Sequence, residues 1–151
     1  MGRLRSSLKG HKVYFDSNIF MYYIEEAENF KTLLLDVFEG LESHEFFAVT
    51  SQLTLSECLV QPITKQRNDL ARLYYLALES SDCLTVLAVS LQVLISAATV
   101  RAQTGLKLPD AIHAATALTQ QCTALLTNDA GFSRVPGIEL FLLSDWLTSP
   151  C

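Results

Sequence analysis

The chain has 151 residues, of which 50% are hydrophobic and 18% charged, and its formal net charge is −5 at pH 7. A chain of this length forms one ordinary domain, and this composition excludes a disordered or fibrous protein. The acidic balance argues at first against nucleic acid, because nonspecific binders usually carry an excess of basic residues.

The first twelve residues differ from the rest, because four of the eleven basic residues and none of the acids lie there. We therefore predict a basic N-terminal extension (1–11) followed by a single domain (12–151), without an internal repeat or linker. The extension has no apolar core segment, so we expect no signal peptide.

Strands and helices are predicted to alternate along the chain. The strands are expected at 12–15, 45–50, 84–89 and 124–127, with a possible fifth at 139–143. The helices are expected at 19–25, 30–41, from Ser51 onward with an interruption at Pro62, at 68–80, from Ser90 to Gly105, and from Pro109 onward. This order predicts an α/β fold with a mainly parallel central sheet of four to five strands, flanked by helices on both faces.

One charge-free segment, residues 83–100, approaches the length of a membrane span. It contains several Ser, Thr and Gln residues and divides into a strand and a helix capped by Ser90, so we expect no membrane partner. The four cysteines (Cys58, Cys83, Cys122 and Cys151) form no C-x-x-C pair. They are interpreted as reduced thiols of a cytoplasmic protein.

Two acids follow predicted strands, which is where ligands bind in parallel α/β sheets. Asp16 comes directly after the first strand, and Asp129 lies two residues past the fourth. Either can instead serve as a cap or turn residue.

Two more acids occupy helix positions that should be apolar. Glu57 shares a stripe with Leu53 and Val60, and Asp110 shares one with Ala114 and Ala117. Burial of an unpaired carboxylate is costly. Glu57 can instead point to the surface, and Asp110 can act through the helix dipole.

If the four acids gather at one end of the sheet, their repulsion requires protonation or a bound cation. Two carboxylates about 4 Å apart repel by about 4 kcal/mol at an effective dielectric constant of 20. A ligand set made only of oxygen favours Mg²⁺ or Mn²⁺ over zinc. Such ions are the usual apparatus of phosphodiester chemistry, and without these four acids the balance is 11 bases against 12 acids. The net charge therefore does not exclude RNA.

Four segments of the chain resemble the PIN-domain family, and most of all the ribonuclease toxins of VapBC toxin–antitoxin pairs. They are Val13-Tyr14-Phe15-Asp16-Ser17-Asn18, Ser56-Glu57, the segment 104–117 with its Pro-Asp-Ala-Ile-His core, and the segment 126–132 around Thr-Asn-Asp. The resemblance spans about residues 12–143 and implies a three-layer PIN-like fold.

The resemblance also implies a function, a metal-dependent endoribonuclease that leaves a 5′-phosphate and a 3′-hydroxyl. It implies a catalytic quartet of Asp16, Glu57, Asp110 and Asp129. Asp16, Asp110 and Asp129 would bind the metal, while Glu57 would bind metal or activate water. Thr127 and Asn18 would support the site. The expected partners are an RNA substrate, a cognate antitoxin and a second copy in a homodimer.

Other features leave alternatives open. Lys65, Arg67 and Arg72 form a basic cluster that is either a solvated face or a candidate RNA contact. His113 is expected to pack in the core, with a position facing the pocket as the alternative. The adjacent tyrosines (Tyr22, Tyr23, Tyr74 and Tyr75) are expected to make core or dimer contacts rather than to stack on bases.

Two other functions remain possible on the sequence. The first is a catalytically silent PIN-like interaction module, against which the complete quartet argues. The second is a phosphatase with Asp16 as its nucleophile; that class needs a second Asp two residues on, where this chain has Asn18.

Overall fold

The structure, a computed structural model, describes residues 2–147. Its strands are Lys12–Phe15 (β1), Phe47–Ser51 (β2), Leu84–Leu87 (β3), Ala124–Thr127 (β4) and Glu139–Leu142 (β5). Its α-helices are Arg3–Leu8 (α1), Ser17–Ile24 (α2), Lys31–Glu42 (α3), Gln52–Thr64 (α4), Asn68–Ala77 (α5), Leu91–Thr104 (α6) and Leu108–Thr119 (α7). Short 3-10 helices cover Ala130–Arg134 and Leu143–Trp146.

The strands form one parallel sheet in the order β3-β2-β1-β4-β5. The predicted α/β fold is confirmed, and so is the fifth strand. After β3 the chain crosses to the other side of β1, so the direction of winding changes between β1 and β4. Ligands of open α/β sheets bind at such a switch point, beyond the carboxyl ends of the strands.

Alternate residues of each strand face two separate cores, as the pleat of a strand requires. Val13 and Phe15 of β1 belong to a core that also includes residues of helices α1 to α5. Tyr14 lies between them and belongs to the second core, which α6 and α7 cover. The sheet is therefore buried on both faces, and polar side chains that bind a ligand are expected at the ends of its strands.

The basic N-terminal segment is packed onto the domain through α1. Leu4 and Leu8 are fully buried in the first core. Arg5 donates hydrogen bonds to Asp36 and Glu45. The proposed division at residue 11 stays a prediction, and the last part of the predicted domain, 148–151, lies outside the described residues.

Two local predictions about α4 are wrong. Pro62 does not interrupt the helix but lies inside it, buried near its end, where a missing N–H removes one of the last intrahelical hydrogen bonds. Val60 is 56% exposed, so the stripe of Leu53, Glu57 and Val60 does not face the core along its whole length.

Three of the four adjacent tyrosines pack against other residues of the domain, as predicted. Tyr22 stacks on Phe30 with 4.9 Å between ring centroids, and Tyr23 stacks on Phe38 at 3.8 Å. Tyr74 is buried, whereas Tyr75 is exposed.

The described cysteines, Cys58, Cys83 and Cys122, are not in disulfides, and Cys151 lies outside the described residues. Burial raises the pKa of Cys58 to about 12 and that of Cys122 to about 11. Between residues 2 and 147, no helix combines the length and the apolar character that a membrane span needs.

Candidate active site

Asp16 lies at the carboxyl end of β1, beside the switch point, and is only 5% exposed. One carboxylate oxygen accepts a hydrogen bond from the backbone N–H of Ser17 at 2.8 Å and thereby caps α2. The other accepts hydrogen bonds from the Thr127 hydroxyl at 2.7 Å and from the Asn18 amide at 3.3 Å. With Asp16 as its cap, α2 begins at Ser17, two residues before the predicted start at Ile19. The three hydrogen bonds also fix the orientation of the Asp16 carboxylate.

Asn18 and Thr127, both predicted as supporting residues, connect the acid to its surroundings. The Asn18 amide nitrogen lies 3.3 Å from the Thr127 hydroxyl oxygen. That oxygen also accepts a hydrogen bond from the backbone N–H of Asp129 at 3.0 Å. The amide oxygen of Asn18 is buried and has no hydrogen-bond partner among the described residues. A buried carbonyl oxygen without a donor is suited to a water molecule or a cation.

Asp129 and Asp110 lie on separate segments that meet the carboxyl edge of the sheet. Asp129 follows β4 and accepts a hydrogen bond from the N–H of Gly131 at 2.8 Å, which starts a 3-10 helix. Asp110 is in the first turn of α7, which begins at Leu108, one residue before the predicted start at Pro109, and Asp110 is half-buried. Ala114 and Ala117, which share its helix face, are completely buried. Asp110 therefore lies where a helix end meets solvent.

Glu57 reaches the same region from α4 and is held by a buried histidine. His113 Nε2 lies 2.5 Å from Glu57 Oε1 and 3.7 Å from Asp16 Oδ1. His113 Nδ1 lies 2.6 Å from the Tyr14 hydroxyl. If the phenol donates to Nδ1, then Nε2–H donates to the carboxylate, which defines one tautomer of the ring.

His113 thus satisfies both interpretations offered by the sequence. It is fully buried, and it contacts two of the acids. Tyr14, its second partner, could not be identified from the sequence, because 99 positions separate the two residues. In the structure Tyr14 faces the opposite core from Phe15.

The negative charges of the acids affect the pKa values of Asp16 and Asp110. Burial raises the pKa of Asp16, although the charge of His113 and the Thr127 hydrogen bond act against it. Burial also raises the pKa of Asp110, assisted by the negative charges of Asp16 and Asp129. Among residues 2–147, no Lys or Arg forms an ion pair with any of the four acids.

When protonated, His113 is a positive charge in contact with Asp16 and Glu57. Both ring nitrogens then donate, and the Tyr14 hydroxyl accepts a hydrogen bond instead of donating one. Burial alone would lower its pKa, but the hydrogen bond to Glu57 and the charges of Asp16, Glu57 and Asp110 outweigh that effect, so the pKa is raised.

The residues fit a hard divalent cation that keeps part of its water. Within the described part of the chain, no three Asp, Glu, His or Cys side chains come together as a complete metal-binding group. Mg²⁺ usually takes only one or two carboxylates directly and retains several waters. Asp16, Asp110 and Asp129 offer carboxylate oxygens, and Asn18 offers an unpartnered amide oxygen. These oxygen atoms are of the type that Mg²⁺ binds, and water molecules would complete the coordination sphere of the ion.

The predicted basic cluster forms no ion pair with these acids in the part of the chain that the structure describes. Lys65 follows the end of α4, eight positions after Glu57, which corresponds to about 12 Å along the helix axis. Arg67 pairs with Asp69 at 2.9 Å, and Arg72 is exposed on α5. The structure therefore does not bring these residues to the acids, and their contact with RNA remains a prediction.

Comparison with known proteins identifies both the family and the fold. A model of the PIN domain matches residues 13–138. A search of curated proteins gives no significant match.

Several solved structures share the fold. A toxin–antitoxin complex from Klebsiella pneumoniae superposes with a TM-score of 0.64 at 22% identity, covering 87% of this chain and 98% of that one. VapBC2 from Rickettsia felis, bound to a DNA fragment from their promoter, gives 0.69 at 17% identity, with 86% and 97% covered. VapC20 from Mycobacterium tuberculosis, a sarcin-ricin loop cleaving toxin, gives 0.68 at 14% identity, with 85% and 98% covered.

Proposed function

The chain belongs to the PIN-domain family, and from that premise we propose that it is a metal-dependent endoribonuclease, the toxin of a toxin–antitoxin pair. The observation that carries the proposal is the buried carboxylate of Asp16 at the sheet's switch point, with three further acids near it and no Lys or Arg paired to them among the described residues. A purely structural role does not explain why so many carboxylates are kept together. A site for a cation and a phosphate does.

Mg²⁺ or Mn²⁺, when bound, would neutralise charge on the phosphate and acidify a water molecule. Asp16, Asp110 and Asp129 would hold the ion, directly or through water. Asn18 would orient a water through its free amide oxygen, and Thr127 keeps the Asp16 carboxylate in place. Together these residues would position the phosphate to be attacked.

Glu57 is our candidate for the group that orients and deprotonates the attacking water. His113 binds its Oε1, and within residues 2–147 no donor contacts Oε2, which is therefore available to accept a proton. Hydrolysis with the 3′-oxygen as leaving group gives a 5′-phosphate and a 3′-hydroxyl, as the family resemblance implies.

The partners belong to the same proposal. The solved structures of similar fold include toxin–antitoxin complexes, so we propose a cognate antitoxin for this chain. We also propose a homodimer in the cytoplasm, and the exposed stripe of Leu91, Leu94 and Ile95 on α6 is the surface to test. Analytical ultracentrifugation of the protein and of a Leu91→Ser, Ile95→Ser variant would test the dimer.

The activity is tested with purified protein, single-stranded and structured RNA, and Mg²⁺ or Mn²⁺. We expect cleavage that EDTA abolishes and that Asp16→Asn and Asp110→Asn each lower by at least about a hundredfold. Glu28→Gln, which removes an exposed charge far from the acids in sequence, is the control and should cleave normally. Cleavage that persists in EDTA or survives both aspartate substitutions would exclude this mechanism.

The silent-module alternative makes a different prediction. It requires no cleavage and no rise in melting temperature on addition of Mn²⁺, since no ion would bind the folded state. The same preparation therefore separates the two functions.

A further inference from the structure

Three cations surround the turn between α6 and α7, on the edge of the sheet where the acids lie. Arg101 Nη1 donates a hydrogen bond to the carbonyl oxygen of Leu106 at 2.6 Å. Arg134 Nη1 donates to the carbonyl oxygen of Thr104 at 3.0 Å. Lys107 is the residue immediately before α7. We name Arg101, Lys107 and Arg134 the basic rim.

The basic rim keeps its charge free for an external anion. All three residues are exposed, and among residues 2–147 none of them forms an ion pair. The two arginines bind neutral backbone carbonyls instead, which fix the guanidinium groups without cancelling their charge. Arg5 and Arg67, by contrast, are both paired with carboxylates. A guanidinium that is already ordered loses less entropy when it binds a phosphate.

The basic rim borders two of the predicted catalytic acids. Lys107 precedes Asp110 by three residues. A methyl group placed on Gly131 would lie 3.1 Å from Asp129 Oδ1 and 3.5 Å from Arg134 Nη2, so the carboxylate and the guanidinium both border this glycine. Unpaired acids and unpaired cations thus lie side by side, an arrangement suited to a ligand that meets both.

We infer that Arg101, Lys107 and Arg134 bind the phosphates of an RNA strand next to the phosphate that is cleaved. This inference rests on the proposed ribonuclease function and names the surface that would position its substrate. The acids, with a cation, would take the scissile phosphate, and the basic rim would take its neighbours in the chain. Contacts of this kind fix the register of a nucleic acid and depend on salt.

The binding test uses Asp16→Asn as an inactive background, in Mg²⁺, with a fluorescently labelled single-stranded RNA of mixed sequence. Fluorescence anisotropy gives Kd at several NaCl concentrations. Substituting each rim residue by Gln should raise Kd about threefold to tenfold and reduce the salt slope by about 0.7–1. The control for the lost charge is Lys31→Gln, an exposed cation at the start of α3, which should change Kd by less than about twofold. Arg72→Gln, an exposed cation that is unpaired among the described residues, tests the predicted basic cluster in the same assay.

A kinetic test in the otherwise unaltered chain separates positioning from catalysis. Lys107→Gln should raise KM for RNA cleavage with kcat changed by less than about twofold, because a contact to a phosphate that does not react is made equally in the ground and transition states. Lys107 donates no side-chain hydrogen bond to the rest of the described chain, so this variant should fold as the original does. Arg134→Gln removes a contact between two loops, and its melting temperature is measured alongside.

Four results of these experiments would contradict one of the proposals. Unchanged Kd and KM in all three rim variants, with RNA cleavage intact, would overturn the inference and leave the ribonuclease standing. A larger effect of Arg72→Gln than of the rim variants would place the RNA on α5 instead. The same anisotropy assay is run with a labelled poly-glutamate peptide. Rim variants that lose binding to this peptide but keep RNA binding would overturn the inference and make the basic rim a protein contact. Cleavage at the rate of the unaltered chain by both Asp16→Asn and Asp110→Asn would refute the proposed function itself.

Discussion

Replacing Asp16 by Asn should stabilise the metal-free protein while it abolishes activity. The ionised carboxylate is almost completely buried, and its pKa is raised chiefly by that burial, so the folded state disfavours the charge. Asn has nearly the same shape and no charge. Its new amide can also donate to the Asn18 oxygen, which lacks a partner among the described residues, if the Asn18 amide turns over.

The magnitude follows from opposing contributions. Two carboxylates about 6 Å apart repel by about 2.8 kcal/mol at an effective dielectric constant of 20, and burial adds to this penalty. His113 at 3.7 Å offsets part of it, and replacing a charge-assisted hydrogen bond from Thr127 costs about 1.5–3 kcal/mol. Because the raised pKa shows that the penalty prevails, we expect a net gain of about 1–2 kcal/mol. For a domain of this size that is about 2–8 °C in melting temperature.

The assay is thermal unfolding followed by circular dichroism, in EDTA at neutral pH and then in excess Mn²⁺. Asp16→Asn should melt higher than the unaltered chain in EDTA and should gain less from Mn²⁺. Glu28→Gln controls for the change in net charge and should melt within about 1 °C of the unaltered chain. A melting temperature in EDTA equal to or below that of the unaltered chain would show that Asp16 is not held under electrostatic strain.

Three further predictions concern stability. His113→Ala should lower the free energy of unfolding by about 2–4 kcal/mol in urea titrations, because it leaves the buried Tyr14 hydroxyl without a partner; His113→Gln should recover part of this loss, and equal effects would argue against the hydrogen-bond explanation. The metal-free protein should lose stability as the pH rises from about 5 to 8. The carboxyls of Asp16 and Asp110 have folded pKa values above the ordinary 3.8, so the free-energy cost of burying them grows as they ionise. The stabilisation from protonated His113 is complete below pH 6.5 and disappears as the pH rises through its raised folded pKa. Chemical denaturation at a series of pH values would contradict this if stability increased across that interval. Gly105→Ala should destabilise by about 1 kcal/mol, since φ is +75° at the end of α6; a neutral effect by calorimetry would mean that the turn relaxes freely.

The strands and most helices were predictable because their signals are local. Buried strands of a parallel sheet are short apolar runs, and caps such as Ser51 and Ser90 mark where the helices begin. The predicted interruption at Pro62 was wrong. The rule that proline ends a helix considers only neighbouring residues, whereas here the proline ring is buried near the last turn, where the helix accommodates it.

The acids were predictable from topology. Asp16 and Asp129 both follow parallel strands, and parallel strands end at the same side of the sheet, so the sequence placed the two acids on one side. The structure adds that β1 and β4 are neighbours, which brings the two strand ends together. Asp110 stood out by its spacing from Ala114 and Ala117, both of which are indeed buried.

The sequence by itself therefore determined the fold class, the family and the identity of the candidate acids, because each rests on patterns within a few residues or on a rule of strand order. Only the tertiary structure decided which groups hold those acids and which cations lie beside them. The bond between Tyr14 and His113 joins the middle of the sheet to α7, and the basic rim gathers Arg101, Lys107 and Arg134 from three segments. Contacts between residues far apart in sequence leave no periodicity or spacing in either segment, since they depend on how the helices pack against the sheet.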